Sequence, residues 1–177
     1  MRGKWIIGGA FIAVICCAYV SVSANVMPGK FTWTRDPVMA SAAPFHDADG
    51  VQKTLADFKG KTLVVNFWGT WCEPCEREMP ALSKLQAKMG GDDFQVLAVS
   101  EDREGMAIAK PFLKKRRWDN LAIFTDPDGS FRRDAKVNDI PYTIIVNKAG
   151  YEVARVDGEA DWWSGEMRIK LRQAKEK

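Results

Sequence analysis

The chain is 177 residues long, 46% hydrophobic and 28% charged, which suits one globular domain with a real core and leaves little room for two. Its 26 basic and 23 acidic residues give a net charge of +3, and Arg2 and Lys4 account for most of the excess. That balance excludes nucleic acid as a partner, and the short basic run Lys114-Lys115-Arg116-Arg117, beside Trp118 and Asp119, reads as a solvated helix end.

From Trp5 to Gly29 there is no charged residue, and the 18 residues from Trp5 to Val22 are apolar throughout most of their length. As a helix they cross most of a hydrocarbon layer about 30 Å thick. Arg2 and Lys4 then stay in the cytoplasm, and everything after Val22 lies outside. Val22-Ser23-Ala24 is also a tolerable cleavage site, so residues 1–24 are either a membrane anchor or a removable signal; their length favours the anchor. The expected location is the outer side of the cytoplasmic membrane as a single-pass protein, or the soluble periplasm if the segment is cleaved. Outside the cytoplasm disulfides persist, which changes what the four cysteines mean. Cys16 and Cys17 fall within the apolar run as small fillers, leaving Cys72 and Cys75 in the exported part.

Residues 25–44 mix Pro, Gly, Ser and Ala with little periodicity and are expected to be a linker, with one domain over residues 45–177. Asp47-Ala48-Asp49-Gly50 signals a turn. Thr62 to Trp68 (TLVVNFW) is apolar on both faces and predicts a central buried strand. After Cys75 the period turns helical: Glu78, Leu82, Leu85 and Met89 share one stripe, predicting a helix from about Cys72 to Met89 that stops at Gly90-Gly91. Phe94 to Ser100 predicts a second buried strand. Glu104 to Arg117 reads as a helix interrupted near Pro111, Leu121 to Thr125 as a short strand, and Tyr142–Asn147 with Tyr151–Val156 as a hairpin turning through Lys148-Ala149-Gly150. Asp161 to Lys175 closes the chain as a helix. Strands alternating with helices, then a hairpin and a helix, make an α/β fold with a central mixed β-sheet flanked by helices.

The chemistry centres on Cys72-Glu73-Pro74-Cys75. Two thiolates at this spacing are half of a zinc site, but the chain has a single histidine, His46, in a loop, and no second ligand pair is spaced to complete a metal centre. A purely structural bridge across two intervening residues removes little entropy from the unfolded chain. The pair instead sits where a strand ends and a helix begins, where unpaired N–H groups and the helix dipole favour an anion. Cys72 is therefore expected to be the more exposed and acidic thiol and the nucleophile, with Cys75, one turn inward, as the resolving thiol. Pro74 suits the first helical turn, where its missing N–H costs nothing. Glu78 lies in the apolar stripe, where its charge is expensive, so it should hold a proton tightly and serve the cysteines as proton donor and acceptor. Glu73 places a negative charge beside the pair, which argues against a strongly oxidising couple. No cofactor is called for beyond the redox-active disulfide Cys72–Cys75.

These residues resemble the thioredoxin superfamily, and within it the membrane-anchored extracytoplasmic thiol-disulfide oxidoreductases of the TlpA/ResA/CcmG group. The likeness runs through Asp57-Phe58-Lys59-Gly60-Lys61, Val64 to Cys75, Glu78-Met79-Pro80 and Ile140-Pro141-Tyr142, and spans about Phe45 to Lys175. It implies a thioredoxin-like fold with Cys72 attacking and Cys75 resolving. It also implies a cis Pro141 holding its loop against the cysteines, and an Ile140 backbone that pairs with an extended client segment. Trp71 would flank the reactive sulfur, with Trp68 packed beneath, and Pro80 would kink the helix. Asn66 stands where many cytoplasmic thioredoxins carry a buried Asp; an amide cannot accept that proton, and in the anchored group a Glu matching Glu78 takes the task. The resemblance further implies a reductant of exported disulfides, such as those of apocytochrome c or copper-site assembly factors, fed by a membrane electron donor of thiol-disulfide type. The protein would act as a monomer. Two other readings stand beside it: a thiol peroxidase of the peroxiredoxin kind, for which Trp71 before the cysteine is the wrong context, and a non-enzymatic copper-binding assembly module.

Overall fold

The computed structural model describes residues 29–177, so the expected anchor or signal over residues 1–24 and the start of the expected linker lie outside the described residues. Among the described residues no helix is long and apolar enough to cross a membrane.

Among the described residues eight strands form one mixed sheet, in the order β1-β8-β7-β4-β5-β6-β2-β3. Its centre is β4 (Thr62–Trp68), parallel to β5 (Phe94–Ser100) and antiparallel to β7 (Tyr142–Val146). Every residue of β4 is buried, as its two-sided apolar run requires. Val64, Asn66 and Trp68 face one layer, which is covered by α1 (Glu73–Met89), α2 (Met106–Lys115) and α4 (Gly165–Glu176). Leu63, Val65 and Phe67 face the other, where Phe45 meets Phe124 edge-on and Phe131 at a tilt. On that side lie the short α3 (Ser130–Asp134) and a 3-10 turn, Leu55–Phe58. β6 (Ala122–Thr125) runs parallel to β5, and β8 (Tyr151–Asp157) completes the hairpin with β7.

The segment expected to be a linker is in part a strand. β1 (Lys30–Met39) pairs antiparallel with β8, Phe31 opposite Val156 and Trp33 opposite Ala154. Over Lys30–Trp33 exposed and half-buried residues alternate, with Phe31 and Trp33 turned inward, while Thr34 is also half-buried and residues 35–39 are exposed, so the period-two pattern is too short to stand out in the sequence. Pro37 and a register shift between Trp33 and Val38 are tolerated because β1 is an edge strand. At the opposite edge, two-residue strands β2 (Phe45–His46) and β3 (Gln52–Lys53) flank the turn at Asp47–Gly50.

The helices differ in detail from their expected form. α2 runs through Pro111 without interruption, because burial of Ala109 and Leu113 on either side outweighs one lost hydrogen bond. α1 likewise continues through Pro80 to Met89. α4 begins at Gly165 instead of Asp161, since the Ser164 hydroxyl caps it by accepting from the Met167 N–H.

Candidate active site

Residues 69–75 leave the C-terminal end of β4 and turn into α1. Cys72 is the N-cap of that helix, and its sulfur accepts a hydrogen bond from the Cys75 N–H at 3.3 Å. Cys72 and Cys75 are joined by a disulfide with Cα atoms 5.2 Å apart, a span one helical turn supplies unaided. Glu73 and Pro74 occupy the first two helical positions, and the absent N–H of Pro74 leaves no gap there. In the reduced protein the same N–H and the positive end of the 17-residue helix would face an anion on Cys72.

Cys72 is the more exposed of the pair, as expected, but only by a small margin. Both cysteines are buried, Cys72 at 5% exposure and Cys75 at 0%, because the disulfide folds both sulfurs into the cluster that holds Trp68 and Met79. The exposed surface at the rim is Trp71, 68% exposed. Its indole lies over Gly69, where a Cβ would come within 2.8 Å of the ring, so glycine is what lets the ring fold back. Trp68 is fully buried and packs against Phe112 with ring centroids 5.8 Å apart.

Glu78 is 2% exposed and saturated with donors. Asn66 Nδ2 donates to its Oε1 at 2.7 Å, while the Ala160 N–H (3.0 Å) and the Trp162 indole N–H (2.8 Å) donate to its Oε2. Burial pushes the Glu78 carboxyl up from 4.5 to about 7, and these three hydrogen bonds oppose the rise. Asn66 also donates to Thr143 Oγ1 across the β4–β7 pair, and its own Oδ1 is buried without a partner. Cys75 and Glu78 stand three positions apart on one helix face, neighbours by helical geometry.

Glu73 is exposed and pairs with Arg77 at 3.0 Å, and Arg77 also grips Glu159 at 2.7 Å. The negative charge expected beside the cysteines is thus offset by a neighbouring guanidinium. The Ile140–Pro141 peptide is cis, ahead of β7. Between Ile140 and Trp71 opens a cleft of about 470 Å³, lined also by Glu101, Arg103, Arg132 and Asn138. Burial, reinforced by Asp126 and opposed by Arg132 at 2.9 Å, raises Glu101 to about 8.

Several members of this site have no motif in the sequence. Trp162 and Ala160 reach Glu78 from the loop after β8, more than eighty residues away. Asp102, 2% exposed, accepts from the Thr70 N–H at 3.1 Å, the Thr70 hydroxyl at 2.7 Å and the Ser100 hydroxyl at 2.7 Å, tying the loop before Cys72 to the end of β5. The one available hint is general: a buried indole N–H needs an acceptor.

The redoxin family profile matches residues 27–164. The chain belongs to the redoxin family. One relative is the thiol-disulfide oxidoreductase ResA of a Bacillus cereus strain, 32% identical over 162 residues that cover 90% of this chain and 91% of that one. ResA of Bacillus subtilis is 29% identical, covering 89% of this chain and 86% of its own. In three dimensions this redoxin is similar to a DsbF homologue from Corynebacterium diphtheriae, with a TM-score of 0.66 and 24% identity over 86% of this chain and 96% of that one. The exposed lipoprotein thioredoxin Etrx1 of Streptococcus pneumoniae gives a TM-score of 0.59 at 24% identity, covering 75% of this chain and 99% of its own. At these identities the structural likeness establishes the thioredoxin-like fold.

Proposed function

We propose that this redoxin is an extracytoplasmic thiol-disulfide oxidoreductase that reduces disulfides of exported proteins. The carrying observation is a two-cysteine couple at a helix N-terminus, with its N-cap sulfur held by the Cys75 N–H and a buried carboxyl, Glu78, one turn further on. The ResA relatives, matched over most of their length, support the same chemistry.

In the reaction, the Cys72 thiolate attacks one sulfur of a client disulfide, forming a mixed disulfide and releasing the first client thiolate. Cys75 then gives its proton to Glu78 and attacks the Cys72 sulfur. The second client thiolate leaves as Cys72–Cys75 closes, two electrons pass to the client, and its two thiolates take up protons. A dithiol donor in the membrane returns the couple to the reduced form. The client segment lies along the Ile140 backbone and beside Trp71, with the cleft between them receiving a flanking side chain. The clients would be exported disulfides of the apocytochrome c or copper-site assembly kind, as the resemblance to the anchored group implies.

The test is a trap in the native envelope. A Cys75→Ser chain, with Cys16 and Cys17 changed to Ala, should accumulate a mixed disulfide on Cys72 with an exported protein, and a Cys72→Ser chain that keeps Cys75, on the same Cys16 and Cys17 background, should accumulate none. Adducts that form equally without Cys72 would end the proposal.

A further inference from the structure

Two of the three hydrogen bonds to Glu78 come from one short loop, residues 158–163, and one of them from a tryptophan. Trp162 is fully buried, and its indole nitrogen, a donor only, finds its acceptor in Glu78 Oε2 at 2.8 Å. The Ala160 N–H and Asn66 Nδ2 are donors as well, so all three partners serve the ionised carboxylate and none can accept from the protonated acid. The Oδ1 of Asn66 is buried without a partner. The loop is pinned on both sides: the Gly29 N–H donates to the Glu159 carbonyl, and Arg77 holds the Glu159 carboxylate. Glycine is required at 29, since a Cβ there would come 2.5 Å from the Gly158 carbonyl oxygen.

We propose that Trp162 is a positioning residue of the exchange reaction: its indole N–H, with the Ala160 amide, orients the Glu78 carboxylate and sets how tightly Glu78 holds the proton it trades with Cys75. The inference rests on Glu78 as the proton carrier. The charged groups facing it are few. From the loop, Glu159 lies close enough to raise Glu78 further, and it shares Arg77 with Glu73; on α1 the neighbour is Cys75, and β4 and β7 present the uncharged Asn66 and Thr143. A donor lost here is therefore not replaced by another charge. Removing a hydrogen bond to the ionised form leaves burial less opposed, so the carboxyl should take its proton at higher pH.

The experiment uses the full chain in detergent micelles, with labelled tryptophan indoles and glutamate carboxyls followed by NMR across pH. The Trp162 signal, identified as the one missing in Trp162→Phe, should move with the same midpoint as the Glu78 carboxyl and stop titrating in Glu78→Gln. Trp162→Phe keeps most of the ring packing, and in it the Glu78 midpoint should rise by about one unit, the size of one charge-assisted hydrogen bond. The pH profile of exchange with a small aromatic disulfide should move by the same amount. A Glu78 midpoint unmoved in folded Trp162→Phe overturns the proposal. Should that variant fail to fold, the wild-type indole decides alone: a signal indifferent to Glu78 ionisation overturns it equally. If Glu78→Gln leaves the exchange profile untouched, the proton-carrier role itself falls and the proposal with it, even where the indole titrates.

Discussion

Glu78 is a buried carboxyl held at a cost to stability. Its carboxyl is raised from 4.5 to about 7 by burial, so between those values the folded chain binds a proton that the unfolded chain has released. Stability linked to this group is therefore full below pH 4.5 and is lost as pH rises through about 7. The loss reaches about 3 kcal/mol above that range. Glu78→Gln carries no charge to bury, and its side-chain oxygen can still accept from Trp162 and Ala160, while its amide nitrogen is accommodated once the Asn66 amide turns over to present Oδ1 in place of Nδ2. In urea unfolding of the oxidised protein, the variant should match the parent near pH 4 and exceed it by up to about 3 kcal/mol at pH 8. A difference that does not grow with pH would show that the carboxyl is not held protonated by the fold. The same substitution should slow thiol exchange, since Cys75 loses its proton acceptor.

At the scale of elements, β1 is the informative case. It covers the edge of β8 and carries Phe31 and Trp33 against the layer of α4, where Lys170 and Lys177 lie over the two rings at 4.6 and 5.1 Å. A chain beginning at Gly29 retains that cover, whereas one beginning at Phe45 leaves the β8 edge open to another strand. The longer form should melt cooperatively. The shorter should lose a few kcal/mol, as expected when two large aromatic side chains lose their burial, and should associate at raised concentration. Thermal unfolding by circular dichroism with light scattering checks both. Equal melting temperatures would mean that β1 is a passive tail. α1 makes the complementary point, since its N-terminus binds the chemistry while Met79, Leu82 and Leu85 root it in the core.

For the whole molecule, the sheet order places the C-terminal end of β4, the cis Pro141 loop and the loop after β8 at one end, and Gly29 enters there too through its bond to Glu159. An apolar run in residues 5–22 would then tether the chain at its active-site end. The full chain should remain in the membrane pellet after alkaline carbonate washing, and protease added from the outer side should digest its domain. A carbonate-soluble chain of full length would overturn the anchored reading, and a shortened soluble form would mark cleavage near Ala24.

The central strand, the helix after Cys75, the hairpin and the cysteine couple are legible in the sequence because each is a local pattern: a two-sided apolar run, a 3.6-residue stripe, a turn between β-branched stretches, two thiols one turn apart. Glu78 is legible for the same reason, as an acid in an apolar stripe. β1 is hidden because its alternation spans only a few residues and its partner, β8, lies more than a hundred residues later. A helix terminus usually is exposed, which is why position alone ranks Cys72 as the more exposed thiol, and only packing against Trp68 and Met79 decides that both are buried. Trp162, Ala160 and Asp102 belong to the site through contacts between distant strand ends, which no spacing along the chain encodes. Residue order thus determined which groups are candidates to carry electrons and a proton, while the tertiary structure decided what surrounds them, because burial and hydrogen-bond donors are supplied by whatever the folded sheet brings alongside.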